Sequence, residues 1–109
     1  MNDTVLQDLY QVVLDRKANP QEGSYTCYLF EKGTDKILKK VGEECAETII
    51  AAKNGVQEDT VGEISDLVYH LMVLMAHENI PLDAVLGELE KRSHKIGNLK
   101  TFHQVDHNT

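Results

Sequence analysis

The chain has 109 residues, 41% of them hydrophobic, which is enough for one modest core and too little for two. Its 11 Lys+Arg against 18 Asp+Glu give a formal net charge of −7, which argues against a nucleic-acid or anionic-membrane surface as its main business. That charge leaves room for a phosphorylated small molecule, because bound cations can invert the local field.

Taken in order, Thr4-Val5-Leu6-Gln7 has the form of a capping box, and Val5, Leu6, Leu9, Tyr10 and Val13 follow helical spacing to about residue 17. Residues 18–34 carry Asn19-Pro20, Gly23 and Gly33, which break the periodicity, so this stretch reads as a long loop with at most one helical turn at 26–31. Its aromatics Tyr25, Tyr28 and Phe30 read as cover for the core rather than as a platform for bases. A second helix is expected over 34–53, with Thr34 as N-cap and Asn54-Gly55 as stop signal. Its core stripe would be Ile37, Leu38, Val41, Cys45, Ile49 and Ala52, with Lys36, Lys40, Glu43, Glu44, Glu47 and Asn54 along the other side.

A third helix, 57–78, opens with acidic residues that suit its N-terminal dipole, and a fourth runs over 81–96 from Pro81 to a Gly97 cap. From Ile64 onward the third helix is apolar almost all the way round, which requires burial in something larger than a two-layer monomer. Asp59, Glu63, Asp66, His70 and His77 nevertheless share one narrow stripe of it. Residues 98–109 have no periodicity and read as a mobile tail. The expectation is a single all-α domain over 1–109, a bundle of about four helices per chain completed by homodimerisation.

Cys27 and Cys45 lack CxxC or paired-histidine spacing, so they suggest neither a zinc knuckle nor a disulfide framework and read as buried or half-buried thiols. No apolar run approaches the ~18 residues of a membrane span, and the first residues lack the form of a signal peptide, so the expected compartment is the cytoplasm.

The chemistry concentrates in two segments. Residues three or four apart share a helix face, so Glu44 with Glu47, and Glu63 with Asp66, each present a pair of oxygen ligands in one direction. On a surface helix Glu43, Glu44 and Glu47 would ordinarily be solvated charges or partners of lysines. Glu63 and Asp66 are harder to explain that way, because an ionised carboxylate in so apolar a helix has to be paired, hydrated or bound to metal. If the two helices pack antiparallel, the four carboxylates can hold divalent cations, and all-oxygen ligation favours Mg²⁺, with Mn²⁺ as the substitute. Such ions would attract a phosphate ester and activate water, with Glu44 or Glu47 as the proton acceptor. Lys36 and Lys40 would either hold phosphate oxygens or neutralise the neighbouring glutamates, and Asn54 is a third candidate substrate contact. His70 reads as a hydrogen-bonded core histidine with at most a supporting part behind Asp66.

The segments Ser24-Tyr25-Thr26, Leu29-Phe30, Gly33, Lys40-Val41-Gly42-Glu43-Glu44, Glu47, Ala51-Ala52-Lys53-Asn54, Glu63 with Asp66, and Tyr69-His70 closely resemble the phosphoribosyl-ATP pyrophosphohydrolase family of histidine biosynthesis, within the MazG-like all-α nucleoside triphosphate pyrophosphohydrolases. The resemblance spans about residues 24–92 and departs after Gly97. It implies hydrolysis of phosphoribosyl-ATP to phosphoribosyl-AMP and pyrophosphate, Mg²⁺ at Glu44, Glu47, Glu63 and Asp66, a supporting role for Glu43 in orienting water or a second ion, and a homodimer. Two rival readings remain: a house-cleaning nucleoside triphosphate pyrophosphohydrolase, and a non-enzymatic helical dimerisation module whose acidic stripes are merely solvated.

Overall fold

A computed structural model describes residues 3–97 of the chain. They form five helices and no strand: α1 (Val5–Ala18), α2 (Tyr25–Lys32), α3 (Thr34–Asn54), α4 (Gln57–His77) and α5 (Leu82–Gly97). The all-α expectation holds, and the count rises from about four to five. The expected tail at 98–109 and the departure from the family after Gly97 lie outside the described residues.

The extra helix is α2, inside the stretch expected to be mostly loop. Ser24 starts it by accepting a hydrogen bond at Oγ from the Cys27 amide at 3.1 Å. Two turns are too few to display a 3.6-residue period, which is why the glycines at either side dominate the sequence signal. Gly33, at φ 88°, closes α2 and serves as N-cap of α3, a backbone conformation that favours glycine. Thr34 is therefore the first residue of α3 rather than its cap, and its hydroxyl is hydrogen-bonded to His77 Nε2 at 2.9 Å. At the start of α1, Thr4 occupies the N-cap position without the expected side-chain cap bond; its Oγ1 donates to Asp8 Oδ2 at 3.0 Å instead.

The core is small and draws on every helix: Tyr10 and Val13 of α1, Leu29 of α2, Ile37 of α3, Met72, Val73 and Ala76 of α4, and Leu82 of α5. Full burial of Val13, Leu29, Ile37 and Val73 contributes about 1.5 to 3 kcal/mol each from apolar area removed from water. Tyr10 Oη donates to the Ile80 carbonyl at 2.6 Å, and Lys17 Nζ donates to the Ala76 carbonyl at 2.6 Å, which ties α1 to the end of α4. Beyond Leu82 and Leu86, α5 stands off the bundle, with Leu89 and Ile96 exposed. No described helix is long and apolar enough to cross a membrane.

The inward face of α3 differs from the expected one. Ile37, Glu44 and Ala51, spaced by seven, are its buried residues, whereas Leu38, Cys45, Ile49 and Ala52 of the expected core stripe are exposed in the single chain. The helix is rotated so that an acidic line, rather than its most apolar line, meets α4. Cys45 is accordingly an exposed thiol, not a buried one, while Cys27 is half-buried.

Candidate active site

Helices α3 and α4 make the most extensive packing in the molecule and are joined by the short connection at Gly55-Val56. Gly55 adopts the left-handed conformation, φ 80° and ψ 11°, and its N–H reaches the carbonyls of Ala51 and Ala52. So short a connection makes the helices antiparallel neighbours and sets Glu44 and Glu47 opposite Glu63 and Asp66.

One carboxylate oxygen from each of Glu44, Glu63 and Asp66 lies within 4.8 Å of the other two. Glu44 is only 5% exposed, in contrast to the usual solvated helix glutamate. Burial, a hydrogen bond with the Glu47 side chain and the charges of Glu47, Asp66 and Glu63 push its carboxyl up to about 7. Burial and the charges of Glu47 and Asp66 raise Glu63 as well, and its side chain also hydrogen-bonds Glu47. Glu47 thus acts on two members of the trio while standing outside it. Like charges this close disfavour full ionisation of the cluster. All its donors are hard oxygens, a set that fits Mg²⁺ or Mn²⁺.

Beside the trio an open cleft of about 630 Å³ runs toward the α3–α4 connection, lined in part by Glu47, Asn54, Glu58, Asp59, Glu63 and Asp66. Asn54 therefore falls at the site, at the far end of the cleft. Asp59 had a sequence signal, its place in the acidic stripe of α4; Glu58 had none.

On the other side of the trio, His70 is buried, with Nδ1 2.7 Å from the Asp66 carbonyl and Nε2 2.9 Å from Tyr25 Oη. A carbonyl can only accept, so Nδ1 carries the proton, Nε2 accepts, and the tyrosine hydroxyl donates. Lys40 forms an ion pair with Glu43 at 3.2 Å, and its charge also acts on Glu44 and Tyr25. Glu43 is exposed and faces that lysine rather than the trio. Lys36 lies farther along, with Nζ 5.9 Å from the centroid of the Tyr28 ring. Of the three aromatics expected to cover the core, only Phe30 packs on it; Tyr25 and Tyr28 are half-exposed. No local pattern pointed to the Tyr25–His70 bond, because its partners are 45 residues apart and meet only when α2 docks across α4.

An all-α bundle that gathers carboxylates from two antiparallel helices is consistent with the MazG-like pyrophosphohydrolase class. Residues 6–93 match the family described as Phosphoribosyl-ATP pyrophosphohydrolase. The chain is 54% identical over 99 residues to a phosphoribosyl-ATP pyrophosphatase of Clostridium novyi, covering 91% of this chain and 90% of that protein. It is 58% identical over 98 residues to the protein so named in Clostridium botulinum, covering 90% and 89%. With the one in Listeria welshimeri it shares 54% over 102 residues, covering 94% and 98%. The chain belongs to the phosphoribosyl-ATP pyrophosphohydrolase family.

Proposed function

We propose that this chain hydrolyses phosphoribosyl-ATP to phosphoribosyl-AMP and pyrophosphate in the cytoplasm, as a homodimer, with Mg²⁺ or Mn²⁺ held by Glu44, Glu47, Glu63 and Asp66. The observation that carries the reading is the meeting of three carboxylates from two helices within 4.8 Å, one of them buried, in a chain of this family. A buried glutamate set among two further carboxylates is costly unless something neutralises it, and a cation would do so.

A bound divalent ion supplies charge neutralisation for the substrate phosphates and lowers the pKa of water. The chain supplies the rest. With a cation held there Glu44 would be ionised, and a carboxylate oxygen of Glu44 or Glu47 left free of the cation would accept the proton of the attacking water. Asp66 is held in register by the fixed turn of α4 whose carbonyl His70 engages. Lys40 stands one turn before Glu44 to meet phosphate oxygens at the rim.

The homodimer reading rests on what the single chain leaves uncovered. Leu38 and Ile49 on α3 are 48% and 65% exposed, and Ile64 and Leu71 on α4 are exposed too. At about 100° per residue, Leu38 and Ile49 lie about 120 to 140° round α3 from Glu44, Ile64 and Leu71 about 80 to 100° round α4 from Glu63, and because the helices are antiparallel the two sets turn toward the same side. Apolar side chains exposed on one side of both helices are of the kind that a second copy covers.

Turnover in ¹⁸O-labelled water with Mg²⁺ and a nucleotide panel tests the activity. Phosphoribosyl-ATP should be the preferred substrate, with pyrophosphate released in one piece and label in one of the two products. Preference for free nucleoside triphosphates would favour a house-cleaning role, orthophosphate as first product would overturn the reading, and absence of any metal-dependent turnover would leave a dimerisation module.

A further inference from the structure

The carboxylates and their cations account for a triphosphate, which ATP offers as well as phosphoribosyl-ATP does. Phosphoribosyl-ATP differs by a second ribose phosphate on the far side of its adenine, so a discriminating site needs a purine platform and a second anion contact beyond the metal cluster. Such a constellation exists on the α2 side of the carboxylates, opposite the cleft. On α3, Glu47, Lys40 and Lys36 follow one another along one side, and at about 1.5 Å per residue Glu47 and Lys36 are separated by about 16 Å along the axis. Between those limits Tyr25 and Tyr28 stack on each other, with ring centroids 6.1 Å apart and planes at 25°.

Three features set these rings apart from ordinary surface tyrosines. They are 44% and 41% exposed. The hydroxyl of Tyr25 is committed to His70, whose other nitrogen is committed to the Asp66 carbonyl, so the ring is tied to the turn that carries a candidate metal ligand. Lys32 and Lys36 place their ammonium groups 5.8 and 5.9 Å from the centroid of the Tyr28 ring. Among the described residues neither of these lysines has a carboxylate partner, in a chain with seven more negative than positive charges. Cation–ring pairs at an exposed surface are weak, so both ammonium groups stay available to an anion that reaches the Tyr28 ring.

We infer that Tyr25 and Tyr28 are the platform for the purine of the substrate, and that Lys32 and Lys36 hold the phosphate of its second ribose, so that phosphoribosyl-ATP is distinguished from ATP on this side of the carboxylates. The inference rests on the hydrolytic reading above. The sequence of groups, carboxylates, then tyrosines, then paired lysines, follows the order of triphosphate, purine and monophosphate in the substrate. Stacking is served by any aromatic face, whereas the lysines act as point charges, and the two contributions separate in binding.

Calorimetric titration of the full chain with Mg²⁺ tests this, using phosphoribosyl-AMP and AMP as probes. The wild-type chain should bind phosphoribosyl-AMP on the order of tenfold more tightly than AMP. The double variant Lys32→Gln with Lys36→Gln should bring the two affinities together, chiefly by weakening phosphoribosyl-AMP. Tyr28→Leu should weaken both probes on the order of tenfold, with Tyr28→Phe restoring them, since the ring face is what binds. A double lysine variant that keeps the wild-type preference, or a Tyr28→Leu chain that binds both probes as the wild type does, overturns the inference. Pyrophosphate release from phosphoribosyl-ATP by the same wild-type preparation separates the two levels: release with the preference unchanged in the variants removes only this inference, and no release removes the hydrolytic reading and this one with it.

Discussion

Replacing Glu44 by Gln should stabilise the metal-free protein at alkaline pH and cost it the benefit of Mg²⁺. Glu44 is buried and its carboxyl is pushed from an ordinary 4.5 up to about 7. The folded state therefore holds an extra proton between those values, so the contribution of this group is fully present below about pH 4.5 and is lost as pH rises through 7. A displacement of that size corresponds to between about 3 and 4 kcal/mol before any screening. Relaxation of the exposed Glu47 and entry of water screen the buried charge, which brings the working figure to about 1 to 2 kcal/mol. The amide of Glu44→Gln is neutral at every pH and can donate to Glu47. In chelator at pH 8, its melting temperature should exceed that of the wild type by roughly 5 to 10 °C, with the gap closing at pH 5. Scanning calorimetry at one fixed protein concentration reads this, since association would otherwise move the midpoint. Saturating Mg²⁺ should then raise the wild type by about 2.7 kcal/mol at a hundred times its dissociation constant, and the variant by much less. A variant less stable than the wild type at pH 8 in chelator, or a gap of equal size at both pH values, would refute the account of Glu44 as a buried charge in a repulsive cluster.

Glu47→Gln, Glu63→Gln and Asp66→Asn should each lower Mg²⁺-dependent turnover by orders of magnitude while the fold persists by circular dichroism; near-normal rates in all three would show the metal assignment to be wrong. Glu43→Gln should do far less, since it removes an exposed pair with Lys40 worth below about 1 kcal/mol. The wild-type chain should sediment as a dimer at micromolar concentration, and Ile49→Asp combined with Ile64→Asp should shift it toward monomer; a stable folded wild-type monomer would contradict the reading of the exposed apolar face.

The residue pattern by itself determined the all-α class, the approximate bounds of the four longer helices and the carboxylates worth watching, because helical periodicity and i, i+3 spacing are local properties of the chain. It also carried enough family-specific residues, from Ser24-Tyr25-Thr26 to Tyr69-His70, to be matched to relatives. Tertiary structure alone decided which line of α3 turns inward: the sequence offers both an apolar and an acidic stripe, and only the docking of α4 selects Ile37, Glu44 and Ala51 for burial. It likewise decided that α2 is a helix, since two turns are stabilised by Leu29 in the core and by the Ser24 cap rather than by any period of their own. Tyr25 shows the limit most clearly. Its ring looks like any other apolar residue in the chain, and its place beside the carboxylates follows from one hydrogen bond to a histidine 45 residues away, a contact that no local pattern encodes.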